Sequence, residues 1–200
     1  MITKTEAIVL RAIKYEDNRL IVDMITLDMG RRSFIVSQPR TNRSRIGKYL
    51  FQPLTMLQVE CLISPNRELG RLKDASISQA YSSIPFNPEK IALSMFLSEV
   101  LCHAIHGAEC DGAMFSWLRE SLLWLDGARE NFANFHIAFL LRLLRFLGYY
   151  GQTIPSYDVS LNLSRQERNE LLDKILLCYK EYIPNFPTLQ SLPILRSLHP

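Results

Sequence analysis

The sequence predicts an α+β protein in two parts, a small β-barrel or sandwich over residues 1–80 and an all-α domain over residues 81–200. Two observations carry this division. Apolar residues in the first eighty positions recur with a period near two, the mark of strands with one buried face, whereas those after residue 88 recur at helical spacing. Charge divides at the same place: residues 1–80 hold 13 Lys and Arg against 8 Asp and Glu, and residues 81–200 hold 10 against 12. A positive first half and a slightly negative second half point to separate jobs, the first of them directed at a polyanion.

The elements follow in order. Residues 7–13 and 20–27 are rich in Ile and Val and end at Glu16-Asp17-Asn18 and Asp28-Met29-Gly30, sequences suited to hairpin turns. Phe34-Ile35-Val36 is a third β-type run. Over residues 55–63, Thr55, Leu57, Val59, Cys61 and Ile63 alternate with Met56, Gln58, Glu60 and Leu62, so one face is clearly more apolar. Residues 71–77 supply a fifth, shorter strand after the Ser64-Pro65-Asn66 turn, and Gly70 reads as a turn or bulge rather than a phosphate cradle. So many short strands in so few residues fit a closed barrel or a sandwich.

A break at residues 82–88 opens the helical part. Asn87 is placed to cap a helix whose first turn holds Pro88, leading into Ile91, Met95, Phe96, Val100 and His103. Further helices are expected at 113–126, 131–147 and 164–182, with Gly107, Asp111-Gly112, Gly127 and Gly148 as stops. Ser164 followed by Glu167 is a capping-box signature.

Composition narrows the function classes. Hydrophobic residues make up 48% and charged residues 22%, the balance of a globular chain rather than a disordered one. No secretory signal opens the sequence, because Lys4 and Glu6 interrupt MITKTEAIVL, and the most apolar stretch, 137–147, is cut by Arg142 and Arg145. No membrane association is therefore expected. Cys61, Cys102, Cys110 and Cys178 lie far apart without framework spacing, which fits reduced thiols and a cytoplasmic location. On one continuous helix Cys102, His106 and Cys110 would share a face, but Gly107 interrupts them and no CxxC pair exists, so no metal site is expected. There is no P-loop, GxSxG or HExxH motif either. The expectation is a non-enzyme with no catalytic residues, no cofactor and no small-molecule substrate.

The segment RRSFIVSQPRTNRSRIGK carries the chemistry instead. It holds Arg31, Arg32, Arg40, Arg43, Arg45 and Lys48 and no acidic residue, with Pro39, Thr41, Asn42, Ser44 and Gly47 as loop formers. Arginine's planar fork of donors matches phosphate oxygens, and clustering several of them attracts a polyanion. Arg67 and Arg71 are candidate outer contacts. An acidic protein partner would suit the same charges. Tyr15, Phe34, Tyr49 and Phe51 lie nearby, either as stacking faces for bases or as ordinary strand core. In the helical part, Arg142 and Arg145 stand three apart on an otherwise apolar helix, either lying over the core edge or rimming a groove for an acidic, apolar peptide.

Thr5-Glu6-Ala7-Ile8-Val9-Leu10-Arg11, Arg19-Leu20-Ile21-Val22 with Met29-Gly30-Arg31, the arginine segment from Arg40 to Gly47, Gln52-Pro53-Leu54-Thr55 and Leu69-Gly70-Arg71-Leu72, taken together in this order, resemble the RecO family of bacterial recombination mediators. Leu147-Gly148-Tyr149 resembles the ending of a family helix, and the tail with Pro184-Asn185-Phe186-Pro187 is similar to shorter-tailed members of the Bacteroidetes group. Many members carry a four-cysteine zinc element soon after that helix; residues 151–162 hold no cysteine, and the segment looks short for the family.

The resemblance implies an N-terminal OB-fold barrel followed by an all-α C-terminal domain. It implies binding of single- and double-stranded DNA, strand annealing, and work with RecR to load RecA onto DNA coated by single-strand-binding protein, in the bacterial cytoplasm at the nucleoid. The C-terminal tail of single-strand-binding protein would then find the helical domain, with Arg142 and Arg145 as its place. Two other readings stand beside this one: a plain OB-type nucleic-acid module, and a scaffold whose basic segment grips acidic proteins.

Overall fold

A computed structural model describes residues 2–37, 47–63, 69–106, 111–149 and 163–198. Five strands, β1 (Ile2–Glu16), β2 (Arg19–Thr26), β3 (Gly30–Ser37), β4 (Met56–Leu62) and β5 (Leu69–Gln79), close a barrel in the order β1-β2-β3-β5-β4. Closure depends on the length of β1. Its first part pairs with β4 (Thr5 opposite Val59) and its second part with β2 (Ile13 opposite Ile21), with a register shift between Val9 and Arg11 where the strand bends. β3 and β5 complete the wall as the barrel's parallel pair.

The alternation seen in the sequence is the alternation of the wall. Val9, Val22, Phe34, Val36, Leu57, Val59, Cys61 and Leu72 fill the interior, with Leu50 and Phe51 entering from a short 3-10 turn at Lys48–Phe51. β1 and β2 are joined by Asp17-Asn18, and β2 and β3 turn at Gly30, whose φ of 63° is the left-handed region that favours glycine. The fifth strand is longer than expected. Gly70 lies within it, not in a turn: a Cβ there would meet the Phe34 ring at 2.7 Å, so the missing side chain makes room for that fully buried ring.

Among the described residues five helices follow: α1 (Pro88–Ala104), α2 (Gly112–Gly127), α3 (Phe135–Phe146), α4 (Arg165–Tyr182) and α5 (Leu192–Leu198). The side chain of Asn87 accepts from the amides of Glu89 and Lys90, and Ser164 and Glu167 form the reciprocal capping box. α3 starts later than expected because Asn131 takes a left-handed φ of 61°. Its end is a Schellman motif: the Tyr149 amide reaches the Leu144 carbonyl, the Gly148 amide reaches Arg145, and Gly148 sits at φ 83°. That ending aims Tyr149 at α4, where its ring stacks on Tyr182 at 4.8 Å and its hydroxyl donates to the Tyr182 carbonyl. Among the described residues no helix is long and apolar enough to cross a membrane.

By contacts the chain divides into two compact units. Met1–Tyr81 group with Ile105–Glu120, while Ser82–Ala104 group with Ser121–Pro200. In the second unit Asp126, near the end of α2, accepts the backbone amides of Ser82, Ser83 and Ile84, and Lys90, only 2% exposed, donates to the carbonyls of Asp126 and Ala128 and to Ser83 Oγ. Burial alone would raise the Asp126 carboxyl, but these amides outweigh it and lower its pKa to about 2.

Replacing Gly70 with alanine forces a methyl group into the Phe34 ring. We expect a loss of about 1–3 kcal/mol in denaturant unfolding, the usual cost of overpacking a core, with the barrel topology retained.

Candidate nucleic-acid interface

The cations singled out in the sequence fall into three environments. Arg32, Lys48 and Arg71 are exposed on or beside the barrel. Arg40, Arg43, Arg45 and Arg67 lie outside the described residues; the first three occupy the connection between β3 and the 3-10 turn. Arg31 differs from both groups. Its side chain is only 17% exposed and is committed to protein acceptors: one nitrogen donates to the Ile105 carbonyl at 2.8 Å and another to Asp23 at 3.3 Å. A guanidinium held this way braces the wall, and a free phosphate grip is not its geometry.

Asp23 is the centre of that brace. It is 3% exposed on the outward side of β2, and it accepts from Arg11 Nε at 2.7 Å and Ser33 Oγ at 2.5 Å as well as from Arg31. Burial pushes its carboxyl up, but the bonds from Ser33 and Arg11 and the charges of Arg11 and Arg31 outweigh burial and hold it below the ordinary value. The register explains the grouping: Arg11, Asp23 and Ser33 stand opposite one another on β1, β2 and β3.

The four aromatics separate cleanly. Phe34 and Phe51 are core residues, so the stacking reading falls for both. Tyr15 and Tyr49 are exposed, at 54% and 65%, and the ring of Tyr49 covers the Cα of Gly47. Sequence reading missed Arg19 and Lys73, exposed cations on β2 and β5. The signal for them is strand register, which only long-range pairing supplies.

In the helical unit Arg142 and Arg145 are exposed on α3, with the Arg142 guanidinium 5.9 Å over the Phe146 ring. On the same helix Phe135 stacks against Trp124, which is 53% exposed, at 5.6 Å. A separate groove of 280 Å³ lies along α4, lined by Leu176, Leu177, Lys180, Phe186 and Leu189 among others, and neither arginine lines it. The shared helical face imagined for Cys102, His106 and Cys110 does not form, since α1 ends at Ala104; Cys102 is buried, and Cys110 lies outside the described residues. Among the described residues no group of His, Cys, Asp and Glu is placed to hold a metal.

Asp23→Asn leaves two guanidiniums facing a neutral amide. We expect it to lower stability at pH 7 by about 2–3 kcal/mol, below the full cost of breaking a buried pair because Arg11 is half exposed. A carboxyl with a depressed pKa stabilises the fold above its ordinary value of 3.8 and loses that contribution as pH falls. Wild type should therefore lose stability more steeply than Asp23→Asn below about pH 4, which denaturant titrations at several pH values would read.

Comparison with known proteins follows the same two-part order. Residues 1–81 match the family model of the recombination protein O N terminal, and residues 85–153 match that of the recombination protein O C terminal. The chain is 34% identical to the DNA repair protein RecO of Bacteroides fragilis over 240 positions that take in 99% of each chain, and equally similar to that of Phocaeicola vulgatus. It is 38% identical to the Flavobacterium psychrophilum protein of that name over 148 positions, 74% of this chain and 62% of the other. An alignment of 240 positions against a chain of 200 residues means that these relatives carry segments missing here. The five-strand barrel is thus the OB-fold of this family, and the chain belongs to the RecO family of DNA repair and recombination proteins.

Proposed function

We propose that the protein is a non-enzymatic recombination mediator, acting in the cytoplasm at the nucleoid, that binds single- and double-stranded DNA on its barrel and partners on its helical domain. The DNA assignment rests on the acid-free run of cations that the sequence holds between β3 and the 3-10 turn, together with exposed Arg32, Lys48 and Arg71 on or next to a closed barrel. Arg40, Arg43, Arg45, Arg32 and Lys48 hold backbone phosphates, Arg67 and Arg71 are outer contacts, and Arg31 positions the wall through Asp23. Two strands held along one cationic surface repel each other less, which favours their pairing without any covalent step. The family relationship supports the finer roles: annealing complementary strands, and acting with RecR to load RecA on DNA coated by single-strand-binding protein.

The helical domain takes the acidic, apolar C-terminal tail of single-strand-binding protein. Arg142 over the Phe146 ring, with exposed Arg145 on the same helix, offers cations next to apolar surface, which a carboxylate following an apolar residue requires. The groove along α4, with Lys180 on its lining, is a second place of the same chemistry.

Replacing Arg40, Arg43 and Arg45 together with alanine removes three phosphate contacts. The dependence of log affinity on log salt for a single-stranded oligonucleotide should flatten by roughly two units at unchanged melting temperature; an unchanged slope would move the DNA contact elsewhere. Arg142→Ala with Arg145→Ala should weaken a labelled tail peptide by about 1.5–3 kcal/mol and leave affinity for bare DNA intact. A loss seen with Lys180→Ala instead assigns the tail to the α4 groove. Annealing of complementary strands coated by single-strand-binding protein separates a mediator from a plain nucleic-acid module.

A further inference from the structure

One wall of the groove along α4 is helix, and the other has no regular structure to hold it. Leu177 and Lys180 of α4 face Phe186, Leu189 and Leu192, and the chain from Ile183 to Ser191 forms neither helix nor strand. Among the described residues, of the amides from Thr188 to Ser191 only those of Gln190 and Ser191 are bonded. Both go to the carboxylate of Glu99 on α1, at 2.8 and 2.9 Å, and the Ser191 hydroxyl donates to the same group. Gln190 and Ser191 stand between Leu189 and Leu192, so Glu99 holds the backbone from which both side chains enter the wall. Four residues further on the same face of α1, His103 meets the Phe186 ring edge-on at 6.2 Å. Burial would push the Glu99 carboxyl up, but the bonds from Ser191 and Gln190 and the charge of His103 outweigh it. The group is therefore charged at neutral pH. Helix α1 lines none of the groove, yet it sets where one wall stands.

The lining says what the groove fits. Leu177 is 63% exposed and looks across 280 Å³ at buried Phe186 and Leu189, which leaves apolar surface open to a ligand. Two charges line it. Asp173 is paired with Arg196 at 2.6 Å, whereas Lys180 has no ion-pair partner among the described residues. Lys174 and Glu181, the other charges on this half of α4, are opposite in sign and line none of it. What remains is an apolar slot with one cation at its edge, which suits an apolar side chain followed by a carboxylate. Arg142 and Arg145 offer cations on an open helix face; the groove adds two walls, and walls measure a side chain.

We propose that Glu99 is a positioning residue of this groove: by holding Gln190 and Ser191 it fixes the distance of residues 186–192 from α4 and so selects the size of a terminal side chain, while Lys180 takes the carboxylate. This rests on the α4 groove as a place for the acidic, apolar tail, and it separates two sources of specificity, wall spacing and charge.

The test uses the full chain and four labelled hexapeptides of Gly and Asp, ending in Phe or Ala, each as free acid and as amide. Wild type should bind the Phe-ended acid about tenfold more tightly than the Ala-ended acid, and each amide roughly tenfold more weakly than its acid. Glu99→Ala should bring the two sizes within about twofold of each other and keep the preference for acid over amide. Lys180→Ala should do the reverse. Glu99→Gln keeps the shape and one acceptor oxygen, should fall between, and carries the comparison if Glu99→Ala unfolds. Folded Glu99 variants with the wild-type size preference overturn the positioning role. So does a Glu99→Ala that weakens all four probes equally, the mark of a merely structural contact. An acid preference lost in Arg142→Ala with Arg145→Ala but kept in Lys180→Ala overturns the groove as the place. Wild type that binds none of the four probes overturns the tail reading itself.

Discussion

On the outward side of β2, a carboxylate almost without water contact is held by two guanidiniums and a hydroxyl. Asp23 joins Arg11 on β1, Arg31 and Ser33 on β3, and through Arg31 the carbonyl of Ile105, within the segment that groups with the barrel. Taking that carboxylate out of water is costly, and only the complete set of partners offsets it. The register of three strands therefore has to be right for the charge to be tolerated. Slipping β2 by one residue against either neighbour would turn Asp23 toward Val22's interior and strand the arginines. The placement of the barrel's exposed cations depends on the same register.

Much of the fold was legible because local signals and the final packing agree. The alternation of Leu57, Val59 and Cys61 is the barrel's inner face, Asn87 and Ser164 cap the helices they precede, and Gly148 closes α3 with the left-handed turn that glycine favours. What was not legible came from contacts between distant residues. Helix α5 is seven residues long, too short for periodicity to reveal, and Glu99 on α1 accepts the amides of Gln190 and Ser191 just before it. The regrouping of residues 105–120 with the barrel has the same origin, since Arg31 bonds a carbonyl 74 residues away in sequence.

The candidate site shows the same division. Composition finds a basic segment, but it treats Arg31 and Arg32 as equivalent, whereas one is braced behind Asp23 and the other faces water. It also treats four aromatics alike, although two are core. Residue type sets what a side chain is able to do, and register decides which chains are free to do it.

On the proposed function, DNA lies on the barrel and its basic connection, and the helical unit is left for partners. Photo-crosslinking of the full chain to a single strand carrying photoreactive thymidine analogues, followed by peptide mapping, tests it most directly. Crosslinks should concentrate within residues 32–48 and 67–71 and vanish as salt is raised. Crosslinks confined to the helices after residue 121, with the barrel unmarked, would contradict it.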